Sequence, residues 1–105
     1  MAPHMHAVLI EHASGWDDAR NLREQDGWDE HAAFMDALVD DRFVVLGGPL
    51  GDGPRVLLAV FAEDEEAIRA RLAADPWHPT MLRIASIEPW TILLDGRAAR
   101  GTAAG

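Results

Sequence analysis

Phe43–Phe61, FVVLGGPLGDGPRVLLAVF, decides the fold. Two short apolar runs, Phe43–Leu46 and Arg55–Phe61, flank the clusters Gly47-Gly48-Pro49 and Gly51-Asp52-Gly53-Pro54. Gly-Pro and Asp-Gly pairs mark reversals of the chain. The pattern predicts a second strand over Phe43–Leu46 that stops at Gly47, a hairpin-type connection, and a third strand over Arg55–Phe61. Strands joined this closely are antiparallel.

Upstream of the hairpin, Trp28, Ala32, Met35, Leu38 and Val39 recur at three- and four-residue spacing. That spacing predicts a helix over Gly27–Asp41 with one apolar stripe. Asp26 is its expected N-cap, with Asp29 and Glu30 adding negative charge to the first turn. Downstream, Asp64 is expected to cap a second helix that ends near Ala74, because Asp75 precedes Pro76 and is pushed out of helical geometry. His6–His12 (HAVLIEH) reads as the first strand and Ile84–Leu94 as the fourth, with Pro89 arguing for an edge position or a bulge. The long polar segment Ala13–Asp26 reads as a loop with room for a helical turn, and its Trp16 as a lid residue. The expected organisation is one domain over residues 1–95 and a flexible tail over 96–105.

The resulting order is β-α-β-β-α-β. This is the α+β, ferredoxin-like split pattern with a four-stranded antiparallel sheet. Two helices cover only one face of such a sheet, yet the strands are apolar on both. Val8 and Ile10 oppose Ala7 and Leu9, and Leu57 and Phe61 oppose Val56, Leu58 and Val60. An apolar face of that extent is an aggregation hazard in a monomer. A second copy packed sheet against sheet removes it, so a homodimer through strands 2, 3 and 4 is expected.

Composition narrows the chemistry. Nine basic against 18 acidic groups give a formal charge of −9, which repels phosphate backbones and anionic headgroups. No nucleic-acid or membrane partner is expected, and no apolar run approaches the ~18 residues of a span. With no basic and apolar leader at the N-terminus, a cytoplasmic location is expected. There is no cysteine and no tyrosine, and every basic residue is an arginine. Thiolate, phenolic and Schiff-base chemistry are thereby removed. An enzyme built from what remains, without a cofactor, relies on proton transfer by His and Asp or Glu.

Gly47-Gly48-Pro49-Leu50-Gly51 lacks the Lys-Ser/Thr of a phosphate loop and leads into a hairpin rather than a helix, so no nucleotide is expected. His6 and His12 share a strand face about 20 Å apart and cannot ligate one metal. His31, His78 and a carboxylate could form a facial triad in principle, but no zinc-like spacing supports it and no metal is expected. Trp28, Trp77 and Trp90 read mostly as core, one or two of them able to line an aromatic-binding pocket. Asp36, Asp40 and Asp41 read as a solvated helix face.

His31 is the most informative residue. At 100° per residue it falls among Trp28, Met35 and Leu38, inside the buried stripe. A buried imidazole needs partners for its nitrogens. It is either a core histidine bonded to backbone or a functional one. Asp75 is likewise either a turn residue before proline or a partner for that ring.

Three stretches resemble the YciI-like (YCII-related) family. They are Trp28-Asp29-Glu30-His31-Ala32-Ala33-Phe34-Met35, the run Phe43–Leu50, and Ala73-Ala74-Asp75-Pro76-Trp77 followed by Glu88-Pro89-Trp90-Thr91-Ile92. Together they span about Val8 to Leu94. The resemblance implies the dimeric α+β barrel fold and an active site of a first-helix histidine near the aspartate of Asp-Pro, here His31 and Asp75. It also implies proton transfer, as in lyase or isomerase steps, on small aromatic or lactone-like molecules. The long Ala13–Asp26 loop and His78 depart from the family pattern. The alternatives are a non-catalytic small-molecule-binding or regulatory module, with His31 as a polar anchor, and an accessory protein acting through its interface. The expected site joins His31 and Asp75 as a dyad, with Trp28, Met35, Gly48, Pro49, Trp77 and His78 contacting the ligand. The two helix ends are expected at opposite sheet edges, so contact requires either His31 low on its helix or the Asp75–Trp77 segment folded back over the pocket. The latter is expected, with a pocket walled by Trp77 and the Gly48-Pro49 turn.

Overall fold

A computed structural model describes residues 2–97 of the chain. Strands β1 (His4–His12), β2 (Val44–Pro49), β3 (Val56–Ala62) and β4 (Leu82–Pro89) form one sheet in the order β2-β3-β1-β4. Each neighbouring pair is antiparallel. Helices α1 (Trp28–Asp40) and α2 (Glu65–Leu72) connect β1 to β2 and β3 to β4, and a short helical turn spans Leu22–Glu24. The chain is a small α+β domain, and its strand order is compatible with the ferredoxin-like split pattern. Most of the expected tail, residues 98–105, lies outside the described residues.

Both helices pack on the sheet face that carries Val8, Ile10, Leu58 and Val60. Leu38 of α1 and Ile68 and Leu72 of α2 join those strand residues in one buried cluster with Phe43, Trp77 and Leu82. The side-chain alternation of a strand sends Leu9, Leu57 and Phe61 to the other face. That face carries no helix: Phe61 is 44% exposed, and Leu46, paired opposite Ala59, is 58% exposed.

Several sequence expectations are corrected by the structure. Strand β2 does not stop at Gly47: Gly47, Gly48 and Pro49 pair with Leu58, Leu57 and Val56. Gly47 serves a close approach rather than a turn, because a Cβ there would lie 2.5 Å from Leu58 Cδ2. The reversal falls later, where the Leu50 N–H donates to the Arg55 carbonyl at 2.9 Å. Strand β4 begins earlier and ends at Pro89, on the sheet edge. Proline lacks an N–H for the ladder, and one further bond, from Trp90 N to the Met5 carbonyl, closes it. Trp90 is 41% exposed and not a core residue, and Val39 stands out of its helix stripe to an exposed position.

Asp26 is not the N-cap of α1. That position is Gly27, at φ 79°, which makes no side-chain cap bond. The Asp26 carbonyl accepts the Trp77 indole N–H at 2.7 Å, and its carboxylate pairs with Arg20 instead. Asp64 does cap α2, accepting from Ala67 N at 2.8 Å.

The pairing register also settles where the helices end. His4 pairs with Ala62, so α2 starts beside the beginning of β1 and runs back along the sheet. His12 pairs with Leu82, so α2 ends beside the last residue of β1, where the chain leaves for α1. The α1 N-terminus and the α2 C-terminus therefore share one end of the sheet. The expectation of opposite edges was wrong, because β3 antiparallel to β1 reverses the second helix. No fold-back of the chain is needed to bring residues 31 and 75 together.

Candidate active site

His31 lies in the first turn of α1, anchored by its N–H to the Gly27 carbonyl at 3.0 Å. Its Nδ1 stands 2.9 and 3.0 Å from the two carboxylate oxygens of Asp75. His31 and Asp75 are 9% and 7% exposed, so this is a contact inside the protein rather than a surface ion pair. An ionised carboxylate only accepts hydrogen bonds, so Nδ1 is the donor. In the neutral ring Nε2 is then the acceptor. No described residue bonds Nε2, while every buried side-chain nitrogen and oxygen of the described residues has a partner. Nε2 therefore keeps some exposed surface, on a residue that lines the cavity.

Asp75 is fixed from three sides. Its own N–H donates to the Leu72 carbonyl, and its carbonyl accepts from His78 N. Its Oδ1 also accepts the Trp77 backbone N–H at 2.9 Å. The turn after α2 thus aims the carboxylate at α1. Trp77, only 2% exposed, stacks on the His31 imidazole with centroids 4.0 Å apart and planes 7° apart. With its indole N–H held by Asp26, it clamps the face of the histidine while Asp75 clamps the edge.

The cavity has a volume of about 470 Å³. Trp28, Met35, Gly48, Pro49, Trp77 and His78, the residues expected to contact a ligand, all line it with His31 and Asp75. Gly48 and Pro49 do so from strand β2, not from a turn. Trp77 presents little surface, since His31 covers a ring face and Trp16 meets it edge-on at 5.5 Å. Val39 of α1 and Val44 of β2 supply apolar lining. Among the described residues no three His, Asp or Glu side chains are grouped to hold a metal ion.

Two contributors escaped sequence reasoning. Gln25, 3% exposed, holds the 13–26 loop in shape. Its side-chain NH₂ donates to the Asp17 and Arg20 carbonyls at 2.7 and 2.9 Å, and its Oε1 accepts from Asp17 N. A lone polar residue in a polar loop gives no sequence signal for this. His12 also lines the cavity, stacked on Trp16 at 3.8 Å and 15°. Its signal was present: it continues the inward phase of Val8 and Ile10 along β1. Burial pushes the His12 imidazole below its ordinary range, against an opposing pull from Asp18. The loop is pinned beside the cavity by Ala13 N to the Met81 carbonyl and Gly15 N to the Thr80 carbonyl, both at 2.8 Å. Protein-family models, curated proteins and solved structures were all compared with the chain, and none matches it.

Proposed function

We propose that this chain is a YciI-like, cofactor-independent enzyme in which His31 moves a proton on a small aromatic or lactone-like molecule. The observation that carries the reading is the His31–Asp75 bond on Nδ1, with Nε2 unbonded, on a residue that lines an apolar cavity. A histidine held only for packing has no need of a free nitrogen facing space. In the proposed cycle Nε2 takes a proton from a ligand C–H, and the freed electron pair moves into the adjacent unsaturated system. The imidazolium, paired with Asp75, then returns the proton to another carbon in an isomerisation, or to a departing group in an elimination. Asp75 remains a carboxylate throughout and holds the tautomer.

The same reading includes a homodimer built on the helix-free sheet face. Leu46 and Phe61 leave that face apolar, and the segment carrying Trp90 and Ile92 lies beside it with Met5 and Ala59. A two-fold partner supplies an identical face to cover it. The described residues contain no helix long and apolar enough to cross a membrane.

The test is a double-mutant cycle on substrates found by thermal-shift screening of phenols, quinones and lactones. His31→Ala and Asp75→Ala should each abolish turnover, and the double variant should be little worse than either, as for groups that act as a unit. If either single variant turns over like wild type, the dyad is not catalytic. The binding-module alternative predicts ligand affinity without turnover in wild type as well.

A further inference from the structure

His12 is unlike the other histidines outside the dyad. The ring of His6 is tied to the His4 carbonyl, and that of His78, which also lines the cavity, makes no ring contact or hydrogen bond among the described residues. The His12 ring is held flat against Trp16, yet neither of its nitrogens is hydrogen-bonded among the described residues. It lines the same cavity as His31. Three successive ring contacts, His12 on Trp16, Trp16 on Trp77 and Trp77 on His31, connect the two imidazoles and set two indoles between them. Besides His78, the cavity therefore offers two imidazoles that are held in place and keep an unbonded nitrogen, His31 and His12, with indole and aliphatic wall around them.

We propose that His12 is a second ligand-binding residue of this cavity, and that the ligand is a planar, uncharged ring carrying oxygen on two sides, one bonded by His12 and the other facing His31. The inference rests on the reading that the cavity holds a ligand for His31. A neutral imidazole offers one donor and one acceptor, so it takes either a hydroxyl or a carbonyl. Its depressed basicity keeps it in that neutral form near neutral pH. The partly buried indoles of Trp16 and Trp28 at the cavity suit a ring, and the apolar lining penalises any ligand oxygen left without a partner. A negative charge is disfavoured because Arg83, at the cavity, is already paired with Glu11 at 3.0 Å and the chain is strongly acidic. The apolar lining disfavours an unpaired charge of either sign.

The test compares phenol, with one oxygen, and para-hydroxybenzaldehyde, with two, on the full chain. The readouts are the imidazole NMR signals of His12 and His31 and the dissociation constants. Both probes should shift His31. Only para-hydroxybenzaldehyde should also shift His12, and it should bind about tenfold tighter, the worth of one good polar contact. His12→Phe, which keeps an aromatic ring against Trp16, should lose the preference and bind the two probes with equal affinity. An unmoved His12 signal, or an advantage that survives in His12→Phe, overturns the proposal. The NMR arm needs only wild-type protein, so a poorly folding variant does not decide the matter. If His31 responds and His12 does not, this inference alone falls; if neither responds, the ligand-cavity reading falls with it.

Discussion

Asp75→Asn isolates the tautomer from the fold. The wild-type carboxylate accepts from His31 Nδ1 at 2.9 and 3.0 Å and from Trp77 N at 2.9 Å. An asparagine of nearly the same volume has one oxygen. If that oxygen stays on the Trp77 N–H, its NH₂ group faces His31, and Nδ1 must become the acceptor. The ring proton moves to Nε2, which can then no longer take a proton from a ligand. The stability loss is that of one charge-assisted bond weakened, about 1–3 kcal/mol. A domain with about 5–15 kcal/mol in hand still folds. Turnover should fall by about 10²–10⁴, the range for losing a correctly protonated general base. Asp75→Ala is the contrast. It strands two buried donors, at about 1–3 kcal/mol each, so it should lose about 2–6 kcal/mol. Urea unfolding followed by tryptophan fluorescence reads the stabilities, and ring-nitrogen NMR shifts read the tautomer. An Asp75→Asn protein that keeps its proton on Nδ1 and its turnover would refute the reasoning. So would an Asp75→Ala protein as stable as wild type.

Three further outcomes follow from the same geometry. Gly27→Ala forces a Cβ into φ 79° and within 3.1 Å of Trp77 Nε1; it should lower stability by about 1–2 kcal/mol, and an unchanged urea midpoint would contradict the account of how α1 begins. The His12 pKa lies below its ordinary value of 6.5, so between the two values the unfolded chain binds more protons than the folded one. Stability from this group is then complete above pH 6.5, is lost as pH falls through the window beneath it, and should no longer vary there in His12→Phe. Phe61→Glu places a charge on the helix-free sheet face and should convert a dimer into a monomer by light scattering; a wild-type monomer at micromolar concentration would rule the dimer out.

The order of elements and the buried His31 were legible because both rest on periodicity. Helix α1 announces its stripe through Trp28, Met35 and Leu38, and a histidine at position 31 within it must be buried. Boundaries failed where a residue has two physical uses. Gly47 reads as a reversal, but it admits the side chain of Leu58 inside a ladder. Asp26 reads as a cap, but its carbonyl is taken by an indole distant in sequence, which no local pattern reveals. The relation of residues 31 and 75 was expected from a resemblance, and the route to it was misjudged. Strand directions, not a folded-back segment, bring the two helix ends together. Gln25 and the His12–Trp16 stack depend on the path of the 13–26 loop, which a polar sequence leaves open.

The central claim is that Nε2 of His31 takes a proton from a bound carbon acid. It is tested most directly by deuterium exchange, with a ligand from the thermal-shift screen incubated in heavy water and followed by proton NMR. The chain should wash deuterium into one ligand C–H position at least ~10²-fold faster than His31→Gln does, the usual worth of a positioned general base. His31→Gln should still bind the ligand. Equal exchange rates in the two proteins, or no exchange into a ligand that demonstrably occupies the cavity, would contradict the account.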